Sequence, residues 1–401
     1  MLLKCEKCGV LLSHPADSCQ ECGHPISLTI DETLTQMAPR PVKAIDSVLT
    51  LTPAISLVPT GDDAAKVERL LGHIAGQSHF EERYVLRGEI ARGGMGQIHR
   101  GYDQILRREV AIKMMHHQSG GSSDSAAVRG QFLKEARVGG RLLHPNILAV
   151  FDLGVNRAGH IYYTMRLVEG ASLQHCLEAV DKGVVTKLIS YPVRRIIEAF
   201  VGACQGVDYA HQQGVIHLDL KPHNILVSGF NEIFVIDWGL ARVDETDDTE
   251  ELVDLYRSGT ANHNTVSSTG VFGERVVGTP GYMAPEQARG AVSEFDPATD
   301  VYGLGGILHF ILYGLAPNQG NGVQAVLQAS SVRKERGKLR PGILPRGQRV
   351  RKEAMAALDA LEVICLKALE PKQQERYSSV EPMIVELGEW LSATPGPPIG
   401  F

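Results

Sequence analysis

Gly214-Val-Ile-His217-Leu218-Asp219-Leu220-Lys221-Pro222-His223-Asn224 is followed a few residues on by Ile233-Phe-Val-Ile-Asp237-Trp238-Gly239. Short apolar runs of β type bound a fixed series of polar groups, His-x-Asp-x₄-Asn and then Asp-aromatic-Gly. Upstream, Ala91-Arg92-Gly93-Gly94-Met95-Gly96 and Ile98 lie between two β-type runs. Glycines in such a loop let the backbone approach phosphate oxygens closely. Val110-Ala111-Ile112-Lys113 then sets a lysine on a strand, and Glu135 within FLKEARVGGRLLHPNIL is the candidate carboxylate for it. Taken alone, the glycines are an ordinary turn, and Lys113 with Glu135 a surface ion pair. Chance assembly of all these parts in this order is improbable.

In type, order and spacing the residues resemble the catalytic and metal-binding loops of protein kinases, with the likeness extending over nearly all of residues 84–391. The bacterial branch of eukaryotic-like (Hanks-type) serine/threonine kinases is suggested by Gly-Gly-Met-Gly, HPNI and DLKPHN. The resemblance implies a bilobal α+β fold, a small β-rich lobe before a larger helical one, and ATP with Mg²⁺ or Mn²⁺ as cofactors. Asp219 would orient the substrate hydroxyl and accept its proton, and Lys221 would sit against the transferred phosphate. Lys113, held by Glu135, would bind the α- and β-phosphates, while Asn224 and Asp237 would hold the metal ions.

Val276-Val-Gly-Thr279-Pro-Gly-Tyr282-Met-Ala284-Pro285-Glu286 resembles the acceptor-docking segment, in which Thr279 would contact Asp219 and Lys221. Together with Lys221 it favours Ser/Thr acceptors over tyrosine. Ala91, Gly93, Gly94, Gly96, Ile98 and Ala111 would surround the nucleotide, and Met165 would border the adenine. The Arg166 carbonyl and Val168 amide would bind its edge. By the same likeness Asp300 would hold the catalytic loop, and Arg376 would pair with Glu286.

Three departures from the family pattern stand out. Ala91 replaces the first loop glycine, which is expected to weaken ATP binding modestly; Trp238 stands where Phe is usual. Leu218 stands where most members carry an Arg that reads a phosphate on the activation segment. That segment is long and carries Asp244, Glu245, Asp247, Asp248, Glu250, Glu251 and Asp254. It is either a solvated insertion or an element that docks a basic substrate or occludes the cleft.

At the N-terminus, Cys5-x₂-Cys8 and Cys19-x₂-Cys22, followed by Gly9 and Gly23, supply four soft ligands from two tight turns. A Cys₄ zinc ribbon over 1–26 is expected, with a structural Zn²⁺ and a protein partner; two redox pairs or disulfides are the other reading. Residues 27–82 read as a linker with an amphipathic helix at 63–76, where Val67, Leu70, Leu71 and Ile74 recur at helical spacing. The kinase domain would then occupy 83–392 and a tail 393–401. Cys176, Cys204 and Cys365 read as small core hydrophobes.

The chain's 401 residues carry a net charge of −6 with 43% hydrophobic and 21% charged residues, which favours neither nucleic acid nor an anionic membrane as partner. The run Val301 to Ala316 is too short and too glycine-rich to span a bilayer, and no signal peptide is apparent. A cytoplasmic enzyme phosphorylating proteins, itself included, is expected. The rival readings are a pseudokinase scaffold, a small-molecule kinase of the same fold, and a chain that is chiefly a binding module. The first is favoured by loss of Lys113, Asp219 or Asp237, all of which are present; Lys221 and the 276–286 segment speak against the second. The third lacks a basic, aromatic-studded segment for nucleic acid.

Overall fold

The computed structural model describes residues 3–4, 11–12, 79–116, 123–182, 193–229, 232–243, 278–318 and 348–394. Cys5, Cys8, Cys19 and Cys22, the 63–76 segment and the acidic stretch from Asp244 to Asp254 lie outside them. The chain divides into two compact units, residues 1–68 and 69–401. In the first, β1 (Leu3–Lys4) pairs antiparallel with β2 (Leu11–Leu12).

The second unit begins with α1 (Phe80–Arg83) and an antiparallel sheet: β3 (Tyr84–Arg92), β4 (Gly96–Asp103), β5 (Arg108–Met115), β6 (Val150–Val155) and β7 (Ile161–Arg166). Their spatial order is β3-β4-β5-β7-β6. The two-residue period of a strand sorts the sheet's side chains into two cores. Val110, Ile112 and Tyr162 pack with Phe80 and Tyr84 on one face. Ala111, Tyr163 and Met165 pack on the other against Phe132 and Ala136 of α2 (Ser123–Arg141). Lys113, two residues from Ala111, belongs to the second face.

The larger lobe is mostly helical. It contains β8 (Gly170–Ser172), α3 (Leu173–Asp181), α4 (Val193–Gln212), β9 (Val215–Ile216), β10 (Ile225–Ser228), β11 (Ile233–Val235) and β12 (Arg242–Val243). Then follow α5 (Pro285–Ala288), α6 (Pro297–Tyr313), α7 (Gln348–Ala368) and α8 (Glu381–Ala393). The helical period of α4 buries Ile197, Phe200, Cys204 and Val207 in one large core with α6, α7 and α8. Cys176, Cys204 and Cys365 are free thiols inside it.

Helix α6 is apolar nearly all round and buried along almost its whole length. Asp296 caps its start, accepting from the Ala298 amide at 2.8 Å, with Pro297 in the first turn, and Gly314 ends it at φ 77°. Gly303 on this helix leaves room for the loop around Leu220: a Cβ there would stand 2.9 Å from Leu220 Cβ. No helix among the described residues is long and apolar enough to cross a membrane.

Arg376 closes the lobe. Its guanidinium forks onto Glu286 at 2.8 and 2.9 Å and also donates to the carbonyls of Ala298, Glu370 and Pro371. Both partners are sealed from solvent, so removing one strands a charge in a dry site. Urea unfolding of Arg376→Met is expected to show a loss of about 3–5 kcal/mol. Lys372→Ala, which breaks the exposed pair with Glu375, is expected to leave the transition where it was.

Candidate functional site

The loop from His217 to Asn224 takes its shape from one carboxylate. Asp300, in the first turn of α6, accepts the His217 amide at 2.7 Å, the Leu218 amide at 2.8 Å and His211 Nε2 at 2.8 Å. Burial alone would raise the pKa of Asp300, but the His211 bond, the neighbouring histidines and the backbone amide outweigh it and hold the group below its ordinary value. Leu218 adopts φ 65°, a left-handed conformation that costs a leucine energy. The Asp300 bonds and a 2.8 Å bond from Gln287 Nε2 to the Leu218 carbonyl hold it there. Its side chain packs into a small apolar cluster with Ile216 and Phe295.

That turn delivers Asp219. Its Oδ2 meets Lys221 Nζ at 2.6 Å, and its Oδ1 accepts from the Thr279 hydroxyl at 2.7 Å. Lys221 Nζ donates to Thr279 Oγ1 at 2.9 Å, closing a triangle. Asn224 Nδ2 donates to the Asp219 carbonyl at 2.9 Å and to Oδ2 at 3.2 Å. The amide nitrogen is thereby used, and the donor set left for a cation is the Asn224 side-chain oxygen with the Asp237 carboxylate, hard oxygen ligands suited to Mg²⁺ or Mn²⁺. The Ile236 amide donates to the Asn224 carbonyl at 3.0 Å, which draws Asp237, at φ 69°, toward the loop. The buried Trp238 ring lies 4.6 Å from the His217 ring.

On the sheet side, Lys113 Nζ lies 2.7 and 2.6 Å from the two oxygens of Glu135. Burial raises the Glu135 pKa; the Lys113 charge works against this without cancelling it, and Asp237 adds to it. In the glycine-rich turn the Gly93 amide donates to the Gly96 carbonyl at 2.9 Å. A Cβ on Gly96 would stand 2.3 Å from the Met114 carbonyl oxygen, so the fold itself demands glycine there. Gly93 and Gly94 have nothing within 4 Å of an added Cβ, so packing within the described residues does not require glycine at either. Ala91 pairs with Ile98 across the turn.

Met165 is buried and pairs with Ala111 in the sheet. Arg166 Nη2 donates to both Glu232 carboxylate oxygens at 2.9 and 2.8 Å and its guanidinium lies over the Phe234 ring, while Val168 is half-buried beyond the strand end. Arg242 directs Nη1 to the Val292 and Phe295 carbonyls at 3.3 and 2.9 Å.

Four side chains that the sequence reading did not single out hold the site together: His211, Gln287, Tyr163 and Asn318. Asn318 bonds the Met283 carbonyl at 3.1 Å and accepts from Tyr302 at 3.2 Å, steadying the segment after Thr279. Each is an ordinary polar residue beside a motif, and only the fold gives it a partner.

The family described as Protein kinase domain matches residues 84–383. Among similar proteins is the serine/threonine-protein kinase PknD of Chlamydia muridarum, 36% identical over 235 residues, covering 58% of this chain and 24% of that protein. PknD of Chlamydia pneumoniae is 30% identical over 322 residues and PknD of Chlamydia trachomatis serovar D 31% over 321, each match covering 78% of this chain and 32% of the relative. The chain thus spans about a quarter to a third of the length of the curated relatives it matches. With the motifs in order, the two-lobed fold and a match across most of its length, this chain belongs to the protein kinase family.

Proposed function

We propose that the protein transfers the γ-phosphoryl group of ATP to serine and threonine hydroxyls of proteins, itself included, in bacterial signalling. The observation that carries this reading is the triangle of Asp219, Lys221 and Thr279, in which the carboxylate already accepts a hydrogen bond from a threonine hydroxyl at 2.7 Å. An incoming Ser or Thr hydroxyl needs the same acceptor, and geometry of this kind is what a general base requires.

Asp219 orients that hydroxyl and takes its proton; Lys221 faces the phosphoryl group in transit. Lys113, steadied by Glu135, would hold the α- and β-phosphates, and the open backbone around Gly93 and Gly94 would cover them. Ala91, Gly96 and Ile98 complete that cover. Ala111 and Met165 line the adenine pocket, whose polar edge meets the Arg166 carbonyl and the Val168 amide. Asn224 and Asp237 would hold Mg²⁺ or Mn²⁺, which neutralises charge on the phosphates when bound. The chemistry asks for positioning and charge more than for covalent help.

The kinase domain in this reading occupies 83–392, with 27–82 as linker and 393–401 as tail. A zinc ribbon at 1–26 is supported by the β1/β2 hairpin, whose paired strands flank Cys5 and Cys8 in sequence as a zinc knuckle would require. Cys19 and Cys22 supply the second pair, the ribbon serves to bind a protein, and the whole works in the reducing cytoplasm.

Lys113→Met and Asp219→Asn are each expected to lose on the order of 10²-fold or more in turnover while keeping the native fold, because each removes a positioned charge and no core volume. Labelled γ-phosphate ATP should yield phosphoserine and phosphothreonine; a map dominated by phosphotyrosine contradicts the acceptor assignment.

A second expectation follows from the buried, uncharged Leu218 and from the carbonyl contacts of Arg242. The unphosphorylated enzyme is expected to be competent already. Replacing Thr265, Ser267, Ser268 and Thr269 together by Ala, with Thr279 left intact, should keep turnover within a few-fold. A drop of about a hundredfold, about 2.7 kcal/mol of barrier, would show that another group reads a phosphate on the segment.

Metal analysis of protein purified without chelator is expected to find zinc bound, lost in Cys5→Ser/Cys8→Ser with phosphoryl transfer retained. Protein without zinc sinks the ribbon assignment.

A further inference from the structure

Tyr163, one of the four side chains that hold the site together, donates its hydroxyl to Glu135 Oε1 at 2.7 Å. It stands directly across the β5/β7 ladder from Lys113 and is 3% exposed. Its ring lies 5.1 Å from Phe132, one turn before Glu135 on α2, and 5.7 Å from the Lys113 ammonium. The tyrosine therefore reaches from the sheet to the helix through a dry core. Glu135 Oε1 takes two donors, Tyr163 and Lys113, which its two lone pairs accommodate. Burial, together with the neighbouring carboxylate, pushes the Tyr163 hydroxyl well above its ordinary range, so it remains a protonated donor.

The two donors differ in what competes for them. An ammonium has three protons, and nucleotide phosphates draw on the same ones that Glu135 uses. The tyrosine hydroxyl is enclosed and has one proton, already committed to the carboxylate. We infer that Tyr163 is a positioning residue for the phosphate-binding lysine: by tying Glu135 to the sheet, it keeps the Lys113–Glu135 pair assembled before nucleotide arrives and while the phosphates contend for the ammonium. This rests on the kinase reading proposed above. It adds a neutral anchor to the charged pair.

The test is a double-mutant cycle on Tyr163→Phe, which removes one oxygen and leaves the ring packing, and Glu135→Ala, both in the full-length chain. Affinity for a fluorescent ATP analogue is measured with Mg²⁺, alongside the KM for ATP, the KM for a protein substrate and the thermal midpoint. Tyr163→Phe is expected to weaken nucleotide binding and raise the ATP KM about five- to tenfold, the scale of one hydrogen bond to a charged group. The protein-substrate KM should change little, and the midpoint should fall only by the few degrees that one buried hydrogen bond contributes in a domain of this size. In the Glu135→Ala background the tyrosine change should add nothing, since its partner is gone. Nucleotide affinity within twofold of wild type, or an equal loss in both backgrounds, overturns the inference. Because binding is read without transfer, a wild-type chain that obeys the cycle but moves no phosphate overturns the proposed function and leaves this inference standing.

Discussion

The loop that carries Asp219 hangs from the Asp300 carboxylate. A buried charge is tolerable only when its lone pairs are met, and here two backbone amides and an imidazole meet them. Those amides belong to consecutive residues, so satisfying the charge also dictates the turn. Leu218 is held left-handed and Asp219 emerges on the side where Lys221, Asn224 and Thr279 converge. The depressed pKa sets the sign of its pH dependence. The stabilisation is fully present above the unfolded-state pKa of the carboxylate and fades as acid carries the pH down through the folded one.

Two lobes meet this centre with different physics. The sheet contributes by alternation, since a period of two places Ala111 and Lys113 on the face turned to α2, and Tyr163 opposite Lys113 in the ladder. The helical lobe contributes by depth, because α6 is apolar nearly all round and so becomes the axis on which α4 and α7 pack, with α8 packed in turn on those two. A rigid axis is a good place to root a carboxylate. Arg166, bonded through Nη2 to Glu232 and lying over Phe234, joins the end of β7 to the β10/β11 turn at the surface between them.

Much of this was legible beforehand because the informative residues are spaced by covalent geometry. The interval from Asp219 to Asn224, the strand alternation around Lys113 and the helical period from Ile196 to Val207 all show in one dimension. The strands of two to four residues after Ser172 do not, since runs so short carry no period; they exist because neighbouring segments offer hydrogen bonds. The partners of Glu135 and Leu218 were hidden for the same reason. Tyr163 looks like any strand tyrosine and Gln287 like any helix glutamine until the fold brings a carboxylate to one and a carbonyl to the other. Leu218 was visible as a departure from pattern, but its left-handed backbone was not, because nothing local favours that conformation in a leucine.

Arg376 lies 90 residues downstream of Glu286, the residue whose short helix follows the acceptor-docking turn. Ribosomes deliver chains from one end, so during synthesis the phosphate-binding lobe, the catalytic loop and Glu286 all emerge while that arginine is still unmade. Until it arrives, Glu286 lacks the guanidinium that forks onto it, and the short helix that carries it lacks that tie to the chain around Glu370 and Pro371. The helical lobe is therefore closed from its C-terminal side, and a chain cut short of Arg376 would bury a carboxylate without its counter-charge.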